Sequence, residues 1–231
     1  MIDGDQTLSE AQATQLNQLI EQRQQGVPFA YLSGKKGFYH LEFTVTPDTL
    51  IPRPETELLI EVALDLFPDQ QAVKMLDLGT GPGTIAITLA DQRPDWQVSA
   101  VDVSAGALAV AKQNVTRPIE FLQGSWFEPV ADQRFDLIVS NPPYVEENDP
   151  HLLELTHEPI SALTSGVDGL DDIRRIIDQA PAHLNPGGYL LLEHGFDQQD
   201  RIVQLLAKNF VEIKRFKDYN DKDRAVLARI G

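Results

Sequence analysis

The stretch VKMLDLGTGPGTIAITLA, Val73–Ala90, runs from an apolar segment through three closely spaced glycines into a helical pattern. Strand, glycine turn and helix in that order open a doubly wound α/β sheet, whose ligand site lies at the turn. The glycines are Gly79, Gly81 and Gly83. A dinucleotide fingerprint G-x-G-x-x-G would need glycine at position 84, where Thr84 stands. The loop therefore suits another ligand, unless it is a plain strand-to-helix turn with incidental glycines.

Outward from this stretch, apolar runs near 73–78, 97–102, 119–123, 135–140 and 189–194 alternate with helical patterns. That alternation predicts a parallel sheet covered by helices on both faces. Two further strands near 211–217 and 225–229 are separated only by DYNDKD, too short for a helix, so they pair antiparallel. The fold expected is α/β, with a seven-stranded, mostly parallel sheet carrying one antiparallel strand. Ahead of it, TLSEAQATQLNQLIEQRQQG reads as a helix over 7–25, with Thr7 and Glu10 at capping-box spacing and a narrow stripe of Leu16, Leu19 and Ile20. KKGFYHLEFTV then reads as a hairpin, and IPRPETELLIEVALDLF as a helix from Pro54 with acidic residues in its first turn.

Two carboxylates refine the ligand. Asp77 stands two residues before the first glycine, where it can face an ammonium group. Asp102 ends the second strand, where a carboxylate can accept hydrogen bonds from both hydroxyls of a ribose. Asp102 and Ser104 are also both good caps for the helix that follows. Taken with the glycine loop, the acids point to an adenosine carrying a cationic amino acid, S-adenosyl-L-methionine.

The fourth strand leads into VSNPPYV, Val139–Val145. Two prolines cannot continue a ladder, so the strand stops here, at a position that the expected topology puts beside the glycine loop. A planar amide or amino nitrogen is a poor nucleophile because its lone pair is delocalised. Two acceptors that take both of its hydrogens can aim that lone pair at a methyl donor. The Asn141 side-chain oxygen and the Pro142 carbonyl are candidates for the two, and Tyr144 offers a flat ring for a planar group. An Asn-Pro turn without chemistry is the bland alternative.

Composition narrows the field. The 231 residues carry 35 acidic against 19 basic side chains, a formal charge of −16, which repels nucleic-acid phosphates where no basic cluster overrides it. The absence of cysteine excludes disulfide and thiol chemistry, and the five scattered histidines form no metal-ligand spacing, so no metal site is expected. No run approaches the roughly 18 apolar residues of a membrane span, and no secretory leader opens the chain. A cytoplasmic, monomeric protein is the expectation.

With LIPRPETE (50–57), DLGTGPG, GSWFEP (124–129), SNPPYVEENDPHL, HEPISAL (157–163), LLLEHG (190–195) and a terminal DRAVLARI, the chain resembles the PrmC/HemK family of release-factor glutamine methyltransferases over nearly its whole length. The resemblance implies methyl transfer from S-adenosylmethionine to the glutamine of a Gly-Gly-Gln motif in peptide chain release factors. It implies that Gly79, Thr80, Gly81, Pro82 and Gly83 form the cofactor loop, that Asp102 holds the ribose and that Trp126 lies against adenine. Asn141, Pro142, Pro143 and Tyr144 would hold the glutamine amide, with Asn141 also touching the cofactor, and Arg53 would contact substrate at the entry. Ser125 replaces the acidic residue that often reads the adenine amine in related enzymes. Residues 1–30 would be a short form of the family's N-terminal helical domain, 31–50 a hairpin connector and 51–231 the catalytic domain. Glu193 and His194 read as polar strand-end residues without chemistry. The competing enzyme reading is an adenine methyltransferase acting on nucleic acid, and a third is a cofactor-binding protein without catalysis.

Overall fold

The computed structural model describes residues 8–67 and 71–231. Helix α1 (Glu10–Gln24) is capped by Ser9, whose hydroxyl accepts from the Gln12 N–H while the Gln12 side chain accepts from the Ser9 N–H. The capping box is thus Ser9 with Gln12, two residues later than the Thr7–Glu10 pair; Thr7 itself lies outside the described residues. No residue of α1 is buried, and Leu16 and Ile20 are exposed. A short helix α2 (Phe29–Ser33) follows, and then the expected hairpin of β1 (Lys35–Phe38) and β2 (Leu41–Thr44). The hairpin docks through Phe38 and Phe43, both buried and meeting edge to face. Asn114 fixes it further, exchanging two hydrogen bonds with the Thr44 backbone while also donating to the Pro82 carbonyl of the glycine loop.

Pro54–Thr56 forms a single 3-10 turn rather than the first turn of an α-helix, and α3 (Glu57–Leu66) starts behind it. The main sheet comprises β3 (Lys74–Leu78), β4 (Gln97–Asp102), β5 (Glu120–Gln123), β6 (Phe135–Ser140), β7 (Leu184–Glu193), β8 (Glu212–Lys217) and β9 (Asp223–Arg229). Their spatial order is β5-β4-β3-β6-β7-β9-β8, with β9 antiparallel to both neighbours and every other pairing parallel. The seven strands and the one reversed strand are as the alternation of apolar runs and turns implied. The strand β7 starts earlier than expected, directly after α6 (Asp171–His183). Its Asn185–Gly188 stretch bulges, Leu184 pairing with Phe135 but Tyr189 with Leu137.

Alternate residues of each central strand face opposite sides, as the two-residue period demands. Met75, Leu137, Val139 and Leu191 pack against α3 and α4 (Thr84–Gln92). Leu76, Ile138, Leu190 and Leu192 pack against α6 and α7 (Gln199–Leu206). Because β3 lies between β4 and β6, the chain leaves β3 toward one side and reaches β6 on the other, and the switch point opens a crevice at the carboxyl ends of these strands. Gly79, Asp102 and Asn141 all stand at that edge.

Candidate active site

The glycine loop is shaped by backbone that other residues resist. Gly83 has φ of 89°, and a Cβ there would stand 2.4 Å from the buried Ile87 Cδ1. Gly79 has φ of 73° and lies against the Trp126 ring, whose own backbone adopts a left-handed φ of 50°. The left-handed conformation costs a non-glycine residue about 1–2 kcal/mol, so surrounding structure holds Trp126 in place.

Asp102 organises the loop from the neighbouring strand. One carboxylate oxygen accepts from the Gly81 N–H and the other from the Ser104 N–H, each at 2.8 Å. Each oxygen keeps a further lone pair for a ligand hydroxyl. Burial pushes the Asp102 carboxyl up, against the pull of these N–H groups. The helix that follows, α5 (Ala105–Asn114), is capped by Ser104, so capping does not occupy the acid.

Asp77 is buried beneath the loop. Its Oδ2 accepts from the Thr80 hydroxyl at 2.7 Å and from the Ala86 N–H at 3.1 Å, while Oδ1 is buried without a hydrogen-bond partner. Desolvation raises its pKa to about 7 despite those two donors. A cation brought alongside would restore the ionised form.

A cavity of about 400 Å³ occupies the crevice. Its walls bring together Gly79, Gly81, Asp102, Ser125, Trp126, Asn141 and Pro143. Thr80, Pro82 and Gly83 shape the loop from behind, and Asp77, Arg53, Pro142 and Tyr144 are not among the lining residues. Arg53 turns instead to the buried Glu158, which also accepts from the Ile51 N–H at 2.9 Å. This carboxylate clamps the segment around 51–53 to the HEPISAL segment, and the adjoining Pro47–Leu50 and Pro159, Ser161 and Ala162 complete the cavity walls. Tyr31 supports the same strap through a hydrogen bond to the Thr49 carbonyl at 2.7 Å.

The Asn-Pro-Pro-Tyr turn is anchored at both ends. Ser140 donates its hydroxyl to the Leu78 carbonyl, tying the end of β6 to β3. The Tyr144 carbonyl accepts from the Gln198 side chain, and its N–H donates to the Leu163 carbonyl. The Tyr144 hydroxyl points inward to Glu193, at 3.3 Å, so the ring braces the turn from within. Asn141 donates its amide nitrogen to the Thr56 hydroxyl at 3.0 Å. Asn141 lines the cavity, and its amide oxygen takes part in none of the hydrogen bonds among the described residues.

Glu193 and His194 are fully buried at the carboxyl end of β7. Burial raises the Glu193 pKa to about 7, opposed by the Thr56 hydroxyl, Arg224 and Tyr144. His194 hydrogen-bonds the Gly195 carbonyl through Nδ1, and burial lowers its pKa. Thr56 and Glu158 carry no role in the sequence reading, although each sits in a motif quoted there. The clearest signal was Glu193 itself, a carboxylate closing an otherwise apolar strand.

Comparison with known proteins agrees with this architecture. The methyltransferase small domain matches residues 55–166, and the PrmC N-terminal domain matches residues 1–34. The release factor glutamine methyltransferase of Xylella fastidiosa is 45% identical over 98% of this chain and 85% of its own length. The Escherichia coli K12 protein of the same name is 42% identical, over 98% of this chain and 84% of its own. Among solved structures, a 16S rRNA N2 methyltransferase of Thermus thermophilus in complex with AdoMet and guanosine superposes with a TM-score of 0.64 at 19% identity, covering 85% of this chain and 50% of that one. That likeness concerns the fold, whereas identity above 40% across nearly the whole sequence decides the family: this chain belongs to the release factor glutamine methyltransferases.

Proposed function

We propose that the protein transfers a methyl group from S-adenosylmethionine to the side-chain amide nitrogen of the glutamine in the Gly-Gly-Gln loop of peptide chain release factors. The observation that carries this reading is the orientation of Asn141, whose nitrogen is held by Thr56 and whose oxygen is left to accept from a substrate N–H in the cavity. The Pro142 carbonyl, behind the cavity wall rather than in it, is the candidate for the second acceptor, and neither proline adds a competing N–H. With both hydrogens of the substrate amide taken, its nitrogen lone pair has one direction left. Alignment of this kind contributes roughly 7–11 kcal/mol to a barrier.

The residues present fit the cofactor. Asp102 has lone pairs for the ribose hydroxyls, Gly79 and Gly81 give close backbone approach, Trp126 forms a flat wall, and Asp77, whose Oδ1 is buried without a partner, adds negative charge beneath the loop. When bound, S-adenosylmethionine supplies an electrophilic methyl on a sulfonium. No strong base is needed, because the nitrogen sheds its proton readily once methylation has made it cationic.

A release factor is the partner in this reading, and a monomer acting in the cytoplasm its form and place. Helix α1, with Leu16 and Ile20 exposed, belongs to the N-terminal substrate-binding domain (1–30), followed by the connector (31–50) and the catalytic domain (51–231). The adenine alternative is disfavoured by the charge of −16. Incubation with labelled S-adenosylmethionine and either a release factor or adenine-rich DNA tests the reading: label should enter the release factor alone.

A further inference from the structure

One buried carboxylate ties together the supports at both ends of the turn that carries Asn141. The Glu158 side chain is only 2% exposed, and its two oxygens hold one segment at two points. One oxygen accepts from the Ile51 N–H at 2.9 Å and the other from the Arg53 guanidinium. Arg53 is not among the cavity-lining residues, and its guanidinium is engaged with Glu158 instead.

From this clamp two short paths lead to the Asn-Pro-Pro-Tyr turn. On one side the Arg53 carbonyl accepts from the Thr56 N–H at 3.1 Å, closing the 3-10 turn, and the Thr56 hydroxyl accepts from the Asn141 amide nitrogen at 3.0 Å. On the other side Glu158 leads directly into Pro159–Leu163, where the Leu163 N–H donates to the Ile160 carbonyl. The Leu163 carbonyl then accepts from the Tyr144 N–H at 3.2 Å and from the Val145 N–H at 2.9 Å. Thr56 therefore meets the first residue of the turn and Leu163 the last. Two prolines fix φ within the turn, so the supports at its ends decide where it stands.

We propose that Arg53 and Glu158 are positioning residues for methyl transfer: their ion pair sets the Thr56 support against the Leu163 support, and thereby where Asn141 and Tyr144 stand beside the reacting amide. The inference rests on the reading that this turn holds the substrate amide. It has Arg53 act through Glu158, in place of direct contact with substrate at the entry.

The chemistry of the pair shapes the test. Arg53 reaches Glu158 through one nitrogen on one oxygen, so a lysine can stand in for it, as it could not at a two-pronged contact. Removing Arg53 alone strands a buried charge, whereas removing both charges avoids that penalty. With release factor and S-adenosylmethionine saturating, Arg53→Met and Glu158→Gln should each lose about tenfold or more in kcat, on the scale of a misplaced reacting group. KM for the release factor should change little. The double variant should lose no more than Arg53→Met, because both changes break the same link. Arg53→Lys should keep most of the rate. In amide hydrogen exchange of the complex with S-adenosylhomocysteine, Tyr144 and Val145 should lose protection in the double variant while the amides of β3 and β6 keep theirs.

Losses that multiply in the double variant would overturn the proposal, as would Arg53→Lys being as slow as Arg53→Met. A raised KM at unchanged kcat in Arg53→Met would overturn it too, by marking Arg53 as a substrate contact. So would Tyr144 and Val145 protection that is unchanged in the double variant, or that falls together with the sheet. The exchange measurement decides the clamp even if wild type transfers no methyl to a release factor, an outcome that would refute the proposed function instead.

Discussion

Replacing Asp102 by alanine removes an acid with two structural duties and, in the function proposed, two ligand-facing ones. In the free protein its oxygens hold the Gly81 and Ser104 N–H groups, each at 2.8 Å. In the complex proposed, its remaining lone pairs would accept from the ribose. A hydrogen bond to a charged group contributes roughly 1.5–3 kcal/mol, so two ribose contacts sum to about 3–6 kcal/mol before solvent is considered. The site is half-buried and opens on the cavity, and water filling the vacated space recovers part of this. A net loss of about 2–4 kcal/mol corresponds to roughly 30- to 1,000-fold weaker cofactor binding. Removing a partly desolvated charge limits the cost to the fold, because burial already raises the carboxyl's pKa. Calorimetry with S-adenosylhomocysteine measures the affinity, and a transfer assay at rising S-adenosylmethionine measures whether kcat recovers. Affinity within about threefold of wild type, less than 1 kcal/mol, would refute the ribose role. A kcat that stays low at saturation would show that Asp102 acts on the chemistry as well.

Asn141→Ala should lower kcat on the order of 100-fold, as expected for one lost preorganised acceptor, while cofactor binding weakens only modestly; near-normal turnover in single-turnover assays would contradict its role. Asp77 bears on stability. Its folded pKa of about 7 lies above the unfolded carboxylate value, so its contribution is fully present below about pH 4 and lost as pH rises through 7. Asp77→Asn should therefore raise the Tm of the free protein at pH 8 more than at pH 5. Wild type should also release protons on binding S-adenosylmethionine near pH 6.5, measurable by titration in buffers of different ionisation enthalpy; equal heats would argue that the ligand's ammonium does not face this acid. Gly83→Ala should cost roughly 2–4 kcal/mol, from left-handed φ and the clash with Ile87 Cδ1. Adding Ile87→Val removes the clashing atom and should recover part of that loss in denaturant melts; full additivity would disprove the contact's importance.

The parts of the fold and site that were legible in the sequence are those encoded locally. Val73–Ala90 states its strand, turn and helix through periodicity and glycine placement, and Asn141–Tyr144 marks a strand end through its prolines. Short-range ambiguity misplaced some boundaries. Thr7–Glu10 and Ser9–Gln12 both satisfy the capping spacing, and β7 begins at Leu184, paired with Phe135, rather than near 189. The supporting shell was illegible for a different reason. Arg53 meets Glu158 across 105 residues, and Tyr144 meets Glu193 across 49. A sequence supplies candidate charges, but only the packed sheet brings Glu193 to Tyr144 and Thr56 to Asn141.

The most direct test of the central claim is to incubate the protein with methyl-labelled S-adenosylmethionine and an intact release factor, and to locate the label by fragment mass spectrometry. The account expects one methyl per release factor, on the side-chain amide of the Gly-Gly-Gln glutamine, and none when that glutamine is replaced by alanine. Label elsewhere on the release factor, label that survives the replacement, or transfer to adenine-rich DNA in place of the release factor would contradict it.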